Sequence, residues 1–319
     1  DKWAGSSSSG SGVATALGLC AGSLGSDTGG SIRFPSSACG LVGIKPTYGR
    51  VSRFGVLDLA QTLDHVGPMT RDVRDAALIL AVISGFDEND LTTVPTIAPT
   101  FNDIENANLD GVTIGYSENY SEDGVDGEII KATQNVLEIL QYHGATIKSI
   151  ELDDIDSFLP AWKTLCTAEA LNAHSSFFPG RASEYGLWFR GWLEHGLSVT
   201  SQEYIDASRQ RALCNGKLRK SFVGIDAMIS PTVIRPPHYV DDSISYGPMD
   251  DRRGTSFQRF TVPFDYNGYP TVSVPSGLNK DGLPLSIQVS GHPLSEPMLC
   301  RIARTYEKSL GLTNFHPDL

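Results

Sequence analysis

Short apolar runs alternate with longer amphipathic stretches through the middle of this chain, and that alternation is its strongest constraint on fold. Residues 112–115 read as a strand, 128–143 as a helix and 145–150 as a second strand. Strand–helix–strand order predicts α/β architecture. Upstream, residues 41–44 read as a short buried strand ended by Lys45-Pro46. Residues 70–84 read as a helix with Thr70 as N-cap and Val73, Ala76, Ala77, Leu80 and Ile83 at helical spacing. Small residues over 13–19 suggest a short, closely packed helix, and 24–32 reads as a glycine-rich turn. Downstream, 202–222 reads as a long basic helix, 225–230, 269–277 and 285–289 as strands, and 296–310 as a closing helix.

The chain has 319 residues, 40% hydrophobic and 19% charged, which is ordinary for a soluble globular protein with a sizeable core. Its net charge is −12 and it has no Lys/Arg run, so no nucleic-acid partner is expected. No apolar run approaches the ~18 residues of a membrane helix. The five cysteines are widely separated and lack the close pairs of zinc sites, which points to a reducing, cytoplasmic setting. The phosphate loop, the dinucleotide G-x-G-x-x-G, the H-E-x-x-H pair and the G-x-S-x-G elbow are all missing. Neither a metal nor an organic cofactor is expected.

Two segments carry chemistry. The first is GSSSSGSG (5–12), and the second is GSDTGGSIRFPS (25–36). Thr28-Gly29-Gly30-Ser31 has little side chain in the way, so successive backbone N–H groups there can converge on one point. A tetrahedral intermediate's oxyanion needs such donors. Ser31, at the end of the run, stands where an attacking hydroxyl would stand. Asp27 and Arg33 can pair to hold the loop. From these residues alone the segment reads equally as a tight structural turn that ends in a serine. The aromatic-rich stretch 155–192 likewise reads as core packing or as a pocket wall.

The stretch GSSSSGSGVATALGLCAGSLGSDTGGSIRFPSSACGLVGIKPTYGRVSRFGV (5–56) resembles the amidase signature family. So do LDHVGPMT (63–70), VPFDYNGYPTVSVP (262–275) and GLPLSIQV (282–289). The resemblance implies one amidase signature domain over 1–319, with a mixed central β-sheet covered by helices on both faces. It implies a Ser–cis-Ser–Lys triad with Ser31 as nucleophile and Ser7 as the cis-serine. The amides of Thr28, Gly29, Gly30 and Ser31 would form the oxyanion hole, supported by Asp27 and Arg33. Ser6 departs from the family, which usually has a small apolar residue there.

The family's lysine lies well upstream of its cis-serine. It is therefore expected in a preceding segment that packs on this chain. Lys2 is too near Ser7 in sequence to be that lysine, and Lys45 belongs to a different, structural motif.

The expected reaction is hydrolysis of an amide, anilide or carbamate C–N bond of a small molecule through a serine acyl-enzyme. The alternatives are the amidase-like subunit of a glutamyl/aspartyl-tRNA amidotransferase and an inactive fragment of the fold. A homodimer is left open.

Overall fold

The computed structural model describes residues 1–242, 247, 249 and 256–311. Its centre is one eight-stranded sheet. In chain order the strands are β1 (Gly22–Asp27), β2 (Val42–Lys45), β3 (His65–Thr70), β4 (Thr113–Tyr116), β5 (Thr146–Ser149), β6 (Ala227–Pro231), β7 (Thr271–Leu278) and β8 (Pro284–Gly291). Across the sheet they run β1-β3-β2-β7-β8-β6-β4-β5. β4 is parallel to both β5 and β6, and the remaining neighbours are antiparallel. The sheet is therefore mixed, as expected.

The helices are α1 (Ser9–Ala16), α2 (Arg33–Ala38), α3 (Val73–Ile83), α4 (Glu118–Glu122), α5 (Gly127–Tyr142), α6 (Pro160–Ala173), α7 (Leu187–Ser198), α8 (Ser201–Ser221), α9 (Val262–Asn267) and α10 (Glu296–Leu310). They cover both faces. Alternate residues of a strand point to opposite sides, and β6 shows where each side leads. Ala227 and Ile229 pack with α3, α5 and α10 residues such as Leu80, Val136 and Ile302. Met228, between them, packs with Leu165, Leu218 and Phe264 of α6, α8 and α9. The buried residues of α5 are Ile129, Thr133, Val136 and Leu140, a single helical stripe.

Three expectations need correction. The helix expected at 13–19 spans Ser9–Ala16, because the small residues from Ser9 onward join it and it stops before Gly18. Thr70 is not a helix cap. It ends β3, and Asp72 caps α3 instead, its carboxylate accepting from the Asp75 N–H at 2.8 Å. The first half of the turn expected at 24–32 is strand, since β1 pairs with β3 from Gly22↔Thr70 to Asp27↔His65. That pairing makes β1 an edge strand and delivers the Thr28–Ser31 turn to the end of the sheet.

Candidate active site

Two serine-rich segments meet at that end. Gly5 has φ +82, and a Cβ there would lie 2.3 Å from Pro35 Cα. Only a residue without a side chain lets the backbone approach α2 this closely. Ser8 then ties the segment to the turn. Its N–H donates to the Ser31 carbonyl at 3.3 Å, its Oγ donates to the Ser26 carbonyl at 3.3 Å, and the Ser26 N–H donates to its Oγ at 3.2 Å. Ser9 Oγ closes the bend by donating to the Gly5 carbonyl at 2.7 Å. The Ser6–Ser7 peptide bond is cis. Ser7 is exposed and Ser31 half-buried.

Each carbonyl of the turn has a donor. Trp162 Nε1 donates to the Thr28 carbonyl at 2.8 Å and Thr261 Oγ1 to the Gly29 carbonyl at 2.6 Å. The Phe34 N–H donates to the Gly30 carbonyl at 2.6 Å, and Ser8 holds the Ser31 carbonyl. The amides divide into two sets. Those of Gly30, Ile32 and Arg33 donate to the Asp27 carboxylate at 2.6, 3.0 and 3.3 Å. Those of Thr28, Gly29 and Ser31 donate to no partner among the described residues. Gly30, expected as a fourth oxyanion donor, is thus already engaged. The reason is physical: Asp27 is fully buried at the end of β1, and a carboxylate without water needs every donor the turn can bring.

Asp27 and Arg33 belong to a larger buried charge cluster. Arg33 Nε and Nη2 donate to Asp27 at 3.0 and 2.9 Å, Nη2 also reaches Asp265 at 2.7 Å, and Nη1 donates to the Thr261 carbonyl at 2.9 Å. Burial pushes the Asp27 carboxyl up, but the Arg33 charge and hydrogen bonds, with Lys45 and the Ile32 amide, more than offset this and hold it below the usual carboxylate range. Asp265 goes the other way. Burial raises it well above its ordinary value, and Arg33 offsets that only in part. One guanidinium serves two carboxylates, giving Asp27 two hydrogen bonds and Asp265 one. Asp265 Oδ1 has no hydrogen-bond partner among the described residues. His65 Nδ1 faces it at 3.7 Å, and burial, then the Lys45 charge, pushes the imidazole well below its ordinary range.

The two lysines considered from sequence are both occupied elsewhere. Lys2 Nζ sits 3.3 Å over the Tyr239 ring. Lys45 is fully buried at the end of β2, and its ammonium donates to the Pro46 carbonyl at 3.2 Å. Burial lowers its pKa to about 7, against the pull of Asp265.

The sequence matches the family described as Amidase over residues 1–300. This chain belongs to the amidase family. It is 34% identical to a glutamyl-tRNA(Gln) amidotransferase subunit of Clostridium botulinum, over 100% of this chain and 70% of the relative. It is 35% identical to the putative amidase AmiD of Mycobacterium tuberculosis, over 99% of this chain and 66% of the relative. The chain thus spans about two thirds of the length of these relatives. Among solved structures it is similar to a 6-aminohexanoate cyclic dimer hydrolase, with TM-score 0.88, 26% identity, and coverage of 99% of this chain and 70% of that one.

Four residues of this amidase site are not apparent from the sequence: Asp64, Trp162, Thr261 and Asp265. Asp64 accepts from the Thr28 hydroxyl at 2.5 Å and from the Leu59 and Ala60 amides at 2.8 and 3.1 Å. Burial raises its pKa to about 6, against the effect of those donors. Asp64 and Asp265 stand within LDHVGPMT and VPFDYNG, as acids among apolar neighbours. That is the only signal the sequence offers for either. The aromatic stretch divides between its two readings. Phe158, Phe178 and Trp192 are core, whereas Trp162 reaches the turn.

Proposed function

We propose that this chain hydrolyses a carboxylic amide, with Ser31 as nucleophile and Ser7 as proton relay. The observation that carries the reading is the set of unpartnered Thr28, Gly29 and Ser31 amides beside a hydroxyl, with the Ser6–Ser8 segment fastened to the same turn. Ser31 Oγ attacks the amide carbon, and the free amides receive the developing oxyanion. The Ser31 proton passes through Ser7 to a base, and returns through Ser7 to the departing amine. Water then cleaves the acyl-enzyme and releases the carboxylate.

The base we propose is a lysine from outside these 319 residues, packed against the serine pair. What Lys2 and Lys45 contact supports this, since each ammonium has a partner other than Ser7. The substrate is a small amide, anilide or carbamate. The likeness to a tRNA amidotransferase component supports a second reading, in which the same site cleaves the side-chain amide of free glutamine within a complex. A cytoplasmic setting goes with either reading, and the five free cysteines support it. Among the described residues no helix is long and apolar enough to cross a membrane.

The test is turnover by the complete protein against anilides, primary amides, carbamates and free glutamine. Ser31→Ala is expected to abolish it with an unchanged circular dichroism spectrum. Ser7→Ala is expected to lower kcat by several orders of magnitude while substrate still binds. Retention of more than a small fraction of turnover by Ser31→Ala would remove Ser31 as nucleophile. Glutamine as the only amide cleaved would select the amidotransferase reading.

A further inference from the structure

We infer that Trp162 is a positioning residue for the Gly29 amide donor of the oxyanion site. The inference rests on the functional reading above and adds a residue to it.

In a planar trans peptide the C=O and the following N–H point in opposite directions. Whatever holds the Thr28 carbonyl therefore aims the Gly29 N–H. That holder is Trp162 Nε1, at 2.8 Å. The neighbouring peptides follow the same logic with different outcomes. Thr261 holds the Gly29 carbonyl, and the Gly30 N–H points away from it into Asp27. The Phe34 N–H holds the Gly30 carbonyl and leaves the Ser31 N–H free. Of these two free donors, Ser31 is aimed by backbone alone and Gly29 by a side chain.

The fit between Trp162 and the turn is close. A Cβ on Gly29 would lie 2.6–2.8 Å from Cζ2, Cε2 and Nε1 of the indole, so the ring edge rests on the Gly29 backbone. The ring is itself wedged. Trp162 lies in the first turn of α6 and packs on Trp192 of α7 at 5.6 Å between centroids. Trp192 stacks on Trp188 at 5.1 Å and 17°. A clamped ring with its one donor on the turn suits orientation of a donor that must be in place before charge develops.

The experiment uses the complete protein. Trp162→Phe keeps a ring in the wedge and loses the donor. Benzothienylalanine at the same position keeps the shape of the indole with sulfur in place of N–H, which guards against a folding failure. Both are expected to lower kcat about tenfold or more with KM within about threefold, since loss of a whole oxyanion donor costs about 10²–10³ in kcat. Binding of a peptide-aldehyde or boronate mimic of the tetrahedral intermediate should weaken by the same factor as kcat/KM.

Trp188→Phe is the control. Its ring stacks on Trp192 at the outer end of the same row of indoles and not on Trp162. It should lower the melting temperature without lowering kcat. Unchanged kcat with benzothienylalanine at 162, or an equal fall in kcat for Trp188→Phe, overturns the inference. A wild-type protein that cleaves no amide would instead overturn the functional reading beneath it.

Discussion

Arg33→Met tests whether the buried charge cluster holds the turn. Methionine replaces the aliphatic stem of arginine and brings no charge. The change removes two hydrogen bonds to Asp27, one to Asp265 and one to the Thr261 carbonyl, all in a site with no exposed side chain among the three charges. Removing one partner of a buried ion pair costs about 3–5 kcal/mol, and an orphaned buried carbonyl adds about 1–3 kcal/mol. The two costs arise from one side chain in one contact network and do not add in full, so the lower part of the summed range is expected. The expected loss is about 5 kcal/mol, which is comparable to the whole stability of many domains. Urea unfolding followed by tryptophan fluorescence reads it directly. The midpoint should fall by about 1–2 M at unchanged slope. Asp27→Asn in the same background should recover part of the loss, because it removes the buried carboxylate left without its guanidinium. A loss below about 1 kcal/mol, as an exposed ion pair gives, would mean that the cluster does not hold the turn.

Gly5→Ala places a Cβ 2.3 Å from the Pro35 backbone at φ +82, and should cost at least about 2 kcal/mol in thermal or urea unfolding. Gly10→Ala, inside α1 with open space around its Cβ, should instead gain up to about 1 kcal/mol, and equal effects of the two changes would contradict the close approach. Lys45 sets a pH dependence. Its folded pKa of about 7 lies below its ordinary 10.5, so between these values the unfolded chain binds more protons and stability rises with pH. The stability of the wild type relative to Lys45→Met should therefore climb from pH 7 to pH 9, by at most about 1.4 kcal/mol per pH unit, and a flat difference would contradict the burial of that ammonium.

Where local chemistry decides the structure, the sequence is readable. The closing helix has the expected ends at 296 and 310, and α5 lies within one residue of its expected bounds, because both carry a full apolar stripe. β1 and β3 are not foreseen as strands. GSLGSD and HVGPMT have few β-branched residues, and Gly67 and Pro68 sit inside β3. Pairing with neighbours overrides that weak propensity. The β2–β3 ladder ends at Gly43↔Met69, just before Pro68, which has no N–H to give.

The site divides in the same way. Asp27, Thr28, Ser31 and Arg33 lie within seven consecutive positions, so their convergence needs only one turn. Asp265 and Thr261 are 232 residues from their contacts on the turn, and Trp162 is 134 residues from Thr28. Only the folded sheet brings them there. The engagement of the Gly30 amide by Asp27 is equally invisible to a spacing argument, since it depends on how deeply the carboxylate is buried.

All of the proposed chemistry depends on a covalent bond to Ser31, and a fluorophosphonate reports on that bond. The complete protein is incubated with the reagent and digested with a protease that cleaves before aspartate, which separates Asp27 onward from the Ser6–Ser11 cluster. Mass spectrometry should find one adduct, on Ser31, and amide turnover should fall in step with labelling. An adduct on Ser7 or any other serine, or full turnover in protein labelled at Ser31, would rule out Ser31 as the nucleophile.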